Sequence, residues 1–505
     1  MVRTGQNQVK WGMVLSYFLI ILNTLYGLLI TPYMITCLGE VEYGVYKTVA
    51  SLTSALMVLD LGIGGTVMRY VAKYRADDEQ DKISNFVAMN LIQAVVLCGV
   101  IAVVASVVYQ TIQPVYGDTF TQLQIRKAQK LFVILVVNML LHVFENVING
   151  VITGYNRFFF GNGIKVIRLL LRAMLIVVIL RVHANAVVLV LIDLTITLLF
   201  LLIELVYMRM SLRVAVKLVK WEKSVFWESG KYTGLMFLTS IASQVNGNLD
   251  NVMIGAISGP DLVTIYSMGL LIFGMYMNLS TAASGVLLPT VSNLLSKENA
   301  RDEITNLIIR TGRIQFMIMG AAAVGFICMG KDFIFLWLGN GFEDVYWITL
   351  ILIIPATLEL CVNTCLAVLR AQNRLGFRTM VLFGATILNA VITYYAVRYW
   401  SYIGAAFGTA ASFIFGSVIV MNIYFTQKIG LPMISIYREI FRRTWLCLLA
   451  AGCALWTFVH FFEGGVLMFV AGVVVFAIVY GVAMLVYGFS AAEKQFLHLG
   501  GRKDD

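Results

Sequence analysis

The chain has 505 residues, 60% hydrophobic and 13% charged, with a formal net charge of +10 and a mean hydropathy of +0.86. No soluble core absorbs that much apolar surface, so a water-soluble enzyme or carrier is excluded and most apolar side chains must face lipid. The basic balance then reads as topology and contact with anionic membrane lipids, not as nucleic-acid binding.

The composition predicts an all-α polytopic membrane protein. About fourteen apolar stretches have the length of membrane helices. They fall at 11–36, 43–68, 84–109, 131–154, 163–181, 185–207, 231–256, 262–290, 306–329, 344–368, 377–398, 402–426, 441–461 and 465–488. The first is too long and uninterrupted for a cleavable signal peptide, so it is expected to remain as a span. Phe333–Leu338 is too short to cross and is expected at the outer surface. With the N-terminus cytoplasmic, 30 of the 37 Lys and Arg residues fall in or beside cytoplasmic segments. The exceptions are Lys47, Arg126, Lys127, Lys130, Arg181, Lys331 and Arg398. An even number of spans then places both termini inside.

A weak internal repeat orders these spans. Gly39, Tyr46, Met57, Leu59, Gly65 and Val71 meet identical residues at Gly259, Tyr266, Met277, Leu279, Gly285 and Val291. Farther on, Glu145, Asn149 and Asn156-Arg157 recur as Glu359, Asn363 and Asn373-Arg374. Equivalent positions lie six spans apart, so the halves enter the membrane in the same direction, as in transporters built from parallel repeats. The expected organisation is an N-lobe over 1–210, an inter-lobe linker over 211–229, a C-lobe over 230–427, and two added spans with a tail over 428–505. The two lobes are expected to be pseudo-symmetric six-helix bundles around a cleft. In the linker, Arg213, Lys217 and Lys220 share a helical face, which predicts an amphipathic helix lying in the interface.

Charges inside spans are costly and usually face a cavity or a partner. In the fifth span Lys165, Arg168 and Arg172 are spaced i, i+3, i+7 on one face. Lys165 can snorkel to the cytoplasmic interface. Arg172 lies about 12 Å into the span, too deep for that. It reads as a lumen-facing cation, the alternative being an ion pair with Glu145 or Asp193. No comparable face is expected in the eleventh span. Arg310 and Arg313 enter the ninth span near its cytoplasmic end, and Arg313 is a further candidate lumen cation. Asp60, in LDLGIGG, and Asp250, in QVNGNLDN with Gln244, Asn246, Asn248 and Asn251, are candidates for ion coupling or a polar lumen. Glu145 and Glu359 read as structural. Pro32, Pro289 and Pro355 can kink their spans. The 7 cysteines and 4 histidines form no cluster, so no metal and no cofactor is expected.

The opening GMVLSYFLIILNTLYGLLITPYMITCLGEVEYGVYKTVASL, then LDLGIGGTVMRYVAKY, GYNRF after the fourth span and SQVNGNLDNVMIGAISG in the seventh, resembles bacterial polysaccharide-export flippases of the O-antigen and capsule type. These belong to the multidrug/oligosaccharidyl-lipid/polysaccharide (MOP) superfamily. The resemblance covers nearly the whole chain and implies fourteen helices in the inner membrane. It implies translocation of an undecaprenyl-diphosphate-linked oligosaccharide to the outer leaflet, alongside a polysaccharide polymerase and glycosyltransferases. The family's cationic lumen residues follow no fixed motif, so Arg168 and Arg172 rest on spacing alone. Two rivals stand beside it. A drug antiporter of the same superfamily would call for an acidic lumen. A membrane-embedded glycan polymerase or acyltransferase would call for a large external loop or clustered His, Asp and Glu.

Overall fold

Inside a bilayer no water can satisfy backbone N–H and C=O groups, so each apolar segment must pair its own, which a helix does. The computed structural model describes residues 2–57, 62–221, 247–284, 288–295, 299–372, 374–461 and 465–489, and among these there are helices but no strand. In chain order the helices of the first half are α1 (Val2–Leu38), α2 (Glu40–Leu56), α3 (Ile63–Ala76), α4 (Gln80–Tyr116), α5 (Gln122–Gly154), α6 (Phe158–Leu180), α7 (Ala186–Met210) and α8 (247–257). There follow α9 (Pro260–Ser284), α10 (Leu288–Leu294), α11 (Ala300–Leu338), α12 (Asp344–Cys361), α13 (Thr364–Ala371) and α14 (Leu375–Ser412). After a π-helical stretch come α15 (Met421–Tyr424), α16 (Met433–Phe441), α17 (Thr444–Phe461) and α18 (Gly465–Ala483).

Ten described helical stretches are long and apolar enough to cross a membrane. The remaining expected positions are accounted for individually. The stretch 43–68 divides into α2 and α3 around Gly62, whose φ of 64° suits a residue without Cβ. The stretch 163–181 is α6, set apart from the ten by its three basic residues. The stretch 231–256 is described only from residue 247. The stretches 377–398 and 402–426 run on as one helical segment, Leu375–Ile429, bent at Trp400 and at Ser401, whose φ is 52°. Pro32 and Pro355 lie inside continuous helices. Phe333–Leu338 is no separate surface segment but the end of the 39-residue α11, about 58 Å long at 1.5 Å per residue.

The chain forms two compact units, Met1–Ser267 with Val397–Tyr402, and Met268–Ala396 with Ile403–Asp505. In the first unit α3 and α5 approach at glycines. A Cβ on Gly150 would stand 2.6 Å from the Gly64 carbonyl oxygen, and one on Gly154 would stand 2.8 Å from Val71. In lipid, helices associate through such close packing and not through apolar burial alone. Val67, Val71, Val147 and Val151 fill this contact without exposure, while Val96 and Val103 on α4 point outward with about two thirds of their surface uncovered.

The repeat has a direct structural counterpart. Gly39, with φ 80°, separates α1 from α2, and Gly259, with φ 106°, separates α8 from α9. The first turns of α2 and α9 then meet reciprocally within the first unit. Thr264 Oγ1 donates to the Glu40 carbonyl at 2.6 Å, and Gly44 lies so close to the Pro260 carbonyl that no Cβ would fit. In the repeat, residue 44 corresponds to 264 and residue 40 to 260. Each helix therefore offers the same position to the same position of its relative, as at a two-fold axis. Asn251 Nδ2 donating to Ser51 Oγ at 3.0 Å and Thr119 Oγ1 donating to the Gly255 carbonyl at 2.8 Å extend the seam.

The helix expected in the linker is not formed over 213–221, which run as irregular chain; 222–229 lie outside the described residues. The cause is a long-range anchor. Asn85 Oδ1 accepts from the Val219 and Lys220 N–H groups at 2.8 and 3.1 Å, and Asn85 Nδ2 donates to the Lys220 carbonyl at 2.8 Å. Those backbone groups are thereby withdrawn from any helix, and Leu212 and Val214 are buried against the α3–α5 core.

In the second unit α11 carries the chain's end. Gly312 packs on the Cys361 carbonyl and Ile440, Gly320 on Leu448, and Gly452 on Val324. Of the two expected added spans, α17 is held against α11 by the Leu448 and Gly452 contacts and α18 by Gly472, which packs on Met329.

Candidate functional site

The basic face of α6 does not stand alone. α7 follows after a short turn and runs back along it, presenting Asp193, Phe200 and Glu204 at i, i+7, i+11, one face of a helix. α5 adds His142 and Glu145 from a third side. Three helices of one unit thus bring two arginines and three carboxylates together.

Arg172 binds Asp193 in a fork. Its Nε donates to Oδ1 at 2.5 Å and its Nη2 to Oδ2 at 2.8 Å, and the guanidinium lies 5.2 Å from the centre of the Tyr26 ring. This bidentate geometry uses the whole side-on edge of the guanidinium. Of the two possibilities open from sequence, the ion pair with Asp193 is the one formed.

Arg168 is engaged differently. Only Nη1 is used, donating to Glu145 Oε1 at 2.6 Å, while His142 Nδ1 lies 2.8 Å from Glu145 Oε2. Arg168 Nε and Nη2, the side-on edge, are buried without a hydrogen bond among the described residues. Its guanidinium lies 5.3 Å from the centre of the Phe200 ring. Lys165, one turn nearer the start of α6, has an exposed side chain.

Glu204 is the residue that spacing analysis passes over. It is 1% exposed, and its Oε2 makes no hydrogen bond among the described residues. The available signal is a single Glu in the apolar run LLIELVYM, three helical turns beyond Asp193 on the same face.

The remaining candidates lie elsewhere. Arg313, expected as a lumen cation, instead donates to backbone carbonyls: Nη1 to Glu439 and Arg442 at 3.2 and 3.1 Å, and Nη2 to Gly488 at 2.9 Å. Carbonyls at helix ends are orphaned and attract a cation, so its charge is taken up in joining α16 and the end of α18 to α11. Asp250 is 2% exposed and accepts from Tyr266 Oη at 2.5 Å. Its neighbour Asn251 binds Ser51, so both residues serve helix contacts. Asn248 lies on α8, half-buried. Asp60, Gln244 and Asn246 lie outside the described residues.

The second unit contains one relative of the Arg168 pair, a single arginine and not a basic face like that of α6. Arg378, at the start of α14, lies 4.0 Å from Glu359, the repeat equivalent of Glu145. Among the described residues no group of His, Cys, Asp and Glu is arranged to hold a metal ion.

Residues 11–295, more than half of the chain, match the family model described as polysaccharide biosynthesis protein. No curated protein sequence matches the chain. Among solved structures, the lipid II flippase MurJ in an inward closed conformation is similar over 94% of this chain and 98% of its own, with a TM-score of 0.71 at 14% identity. An inward-facing multidrug resistance MATE family transporter of the MOP superfamily is similar over 83% of this chain and 95% of its own, with a TM-score of 0.62 at 15% identity. A MOP superfamily transporter from Pyrococcus furiosus Vc1, described as having a binding pocket of reverse polarity, reaches a TM-score of 0.53 at 15% identity, over 85% and 96% of the two chains. At these identities the likeness is one of fold, and it extends over both units. The chain belongs to the polysaccharide biosynthesis protein family and is a multi-pass membrane protein with the fold of the MOP superfamily of flippases and transporters.

Proposed function

We propose that the protein is a flippase that moves an undecaprenyl-diphosphate-linked oligosaccharide from the cytoplasmic to the outer leaflet by alternating access. It would act in the bacterial cytoplasmic membrane for export of a cell-surface polysaccharide, beside a polymerase and glycosyltransferases, with no catalysis of its own. Its lobes would be 1–210 and 230–427 with both termini inside, and its basic cytoplasmic segments would contact anionic lipids. A diphosphate and its sugars cannot enter hydrocarbon without losing their hydration, whereas the prenyl tail is at home there. The protein therefore has to supply fixed donors for the phosphates alone.

The observation that carries this reading is the side-on edge of Arg168. Two N–H groups in fork geometry match two phosphate oxygens, and burial strengthens such charge-assisted bonds. Lys165, exposed one turn away, adds a mobile cation on the approach. Arg172 acts as the neighbouring structural cation, its own edge closed by Asp193. The test is transfer of a fluorescent diphosphate-linked prenyl glycan across reconstituted vesicles. Arg168→Lys keeps the charge near Glu145 but loses the planar fork, and flipping falls about tenfold, equivalent to ~1.4 kcal/mol. Unchanged transfer by this variant removes Arg168 from the phosphate site.

One observation favours a second reading. Glu204, buried with an oxygen that the protein leaves unbonded, is what a cation-exporting antiporter would use. A drug-resistance assay separates the two: a glycan flippase confers none.

A further inference from the structure

The Arg168 cluster holds one more carboxylate than its ion pairs use. Arg172 is closed by Asp193, and Arg168 is held through Nη1 alone by Glu145. Glu204 remains, 1% exposed, with Oε2 unbonded. It stands one turn past Phe200, the ring that faces the Arg168 guanidinium. Arg168 Nε and Nη2 are equally unbonded and equally buried. A donor edge and an acceptor oxygen thus lie in the same three-helix cluster, each lacking what the other offers. Leaving either so is costly, since a buried donor or acceptor without a hydrogen bond keeps its full desolvation penalty.

We infer that Glu204 is the release residue of the Arg168 anion site, the carboxylate to which the guanidinium edge turns when a phosphate leaves. This rests on the flippase reading above and deepens it. A carrier must hold its cargo strongly enough to take it and weakly enough to let it go. A buried arginine with no competing anion would retain a diphosphate. Glu145 holds Nη1 as a pivot, about which the guanidinium turns to carry its free edge between phosphate oxygens and Glu204; in the structure the edge stands on neither. Glu204 is a positioning residue in this scheme: it acts on the cargo through Arg168.

The role predicts that binding and turnover move in opposite directions. In the full-length protein in lipid nanodiscs, with inorganic pyrophosphate as the probe, Glu204→Gln binds about tenfold tighter. In vesicles the same variant flips the diphosphate-linked prenyl glycan about tenfold more slowly. Glu204→Asp, one methylene shorter with the charge kept, falls between it and the unaltered protein in both measurements. Damage to packing would instead weaken both together, and that outcome overturns the release role. So does a Glu204→Gln protein with unaltered affinity and unaltered rate. Arg168→Gln separates the two readings. If pyrophosphate binding survives that change, or if the unaltered protein does not bind pyrophosphate, the anion site itself is refuted. If binding is lost with Arg168→Gln but Glu204→Gln changes nothing, only the release role fails. Should Glu204→Gln not accumulate in the membrane, Glu204→Asp carries the same test.

Discussion

Arg168 and Arg172 lie one helical turn apart on the same face of α6, and their surroundings make them different instruments. Arg172 meets a carboxylate with two matched oxygens and uses both side-on nitrogens on it. Arg168 meets a carboxylate with one nitrogen, keeping its side-on edge unbonded. Position in the sequence is nearly equivalent, and so is side-chain exposure, 26% and 21%. What separates them is the number of hydrogen bonds already made. An arginine whose side-on edge is occupied stabilises a bundle, whereas one whose edge is open can exchange partners. Depth in the span, which favours Arg172 as the lumen cation, therefore does not indicate which of the two keeps an open donor edge.

The comparison breaks most visibly if Arg172 is removed. Arg172→Ala leaves Asp193 charged and unpaired between helices, a loss of about 3–5 kcal/mol in stability. It should show as poor accumulation in the membrane and a lowered unfolding temperature in detergent. Replacing both partners with leucine removes the orphaned charge and should restore most of the stability. If the single variant folds normally yet cannot transport, Arg172 is a cargo residue and the contrast with Arg168 is wrong.

Arg313 offers a third kind of arginine, bonded to backbone carbonyls at two helix ends. Arg313→Met keeps much of the volume but takes the guanidinium away from three carbonyls: Glu439 and Arg442 at the end of α16, the latter still accepting from the Thr444 N–H, and Gly488 at the end of the last helix. About 1–3 kcal/mol should be lost. The loss should be local, read as faster proteolysis or amide exchange in α16 and the last helix, with flipping per folded molecule unaltered. A transport defect without local loosening would return Arg313 to the candidate cargo cations.

These arginines mark what the sequence could and could not disclose. Span positions were legible because a lipid solvent dictates both length and apolarity, and all fourteen expected positions can be followed, 231–256 only in its last turns. The shared face of Lys165, Arg168 and Arg172 was legible because helical periodicity is local. Their partners were not. Glu145 and Asp193 lie on other helices, and only the register of α5 and α7 against α6 decides which meets which. Arg313 finds its acceptors 126 to 175 residues away, where spacing carries no information. The linker failed for the same reason. Its basic face has helical spacing, but three hydrogen bonds from Asn85, some 135 residues earlier, hold it irregular. Local pattern loses wherever distant partners claim the backbone.

The smallest effect belongs to the pair that looks most like Arg168 in the repeat. Arg378 stands 4.0 Å from Glu359, beyond hydrogen-bond distance, against 2.6 Å for Arg168 and Glu145. Glu359 and Glu145 are repeat equivalents, yet only the first unit adds the acidic face of Asp193 and Glu204 across from its arginine. If cargo binding follows from the unbonded fork and its competing carboxylate, then the second pair is an inherited packing contact. Glu359→Gln keeps shape and hydrogen-bonding capacity while removing a loosely paired charge, so stability should change by less than about 1 kcal/mol. Flipping should stay within about twofold, against the tenfold expected for Arg168→Lys. Equal losses from the two would mean that both lobes handle phosphate. The asymmetry between the units would then lie in something other than these charges.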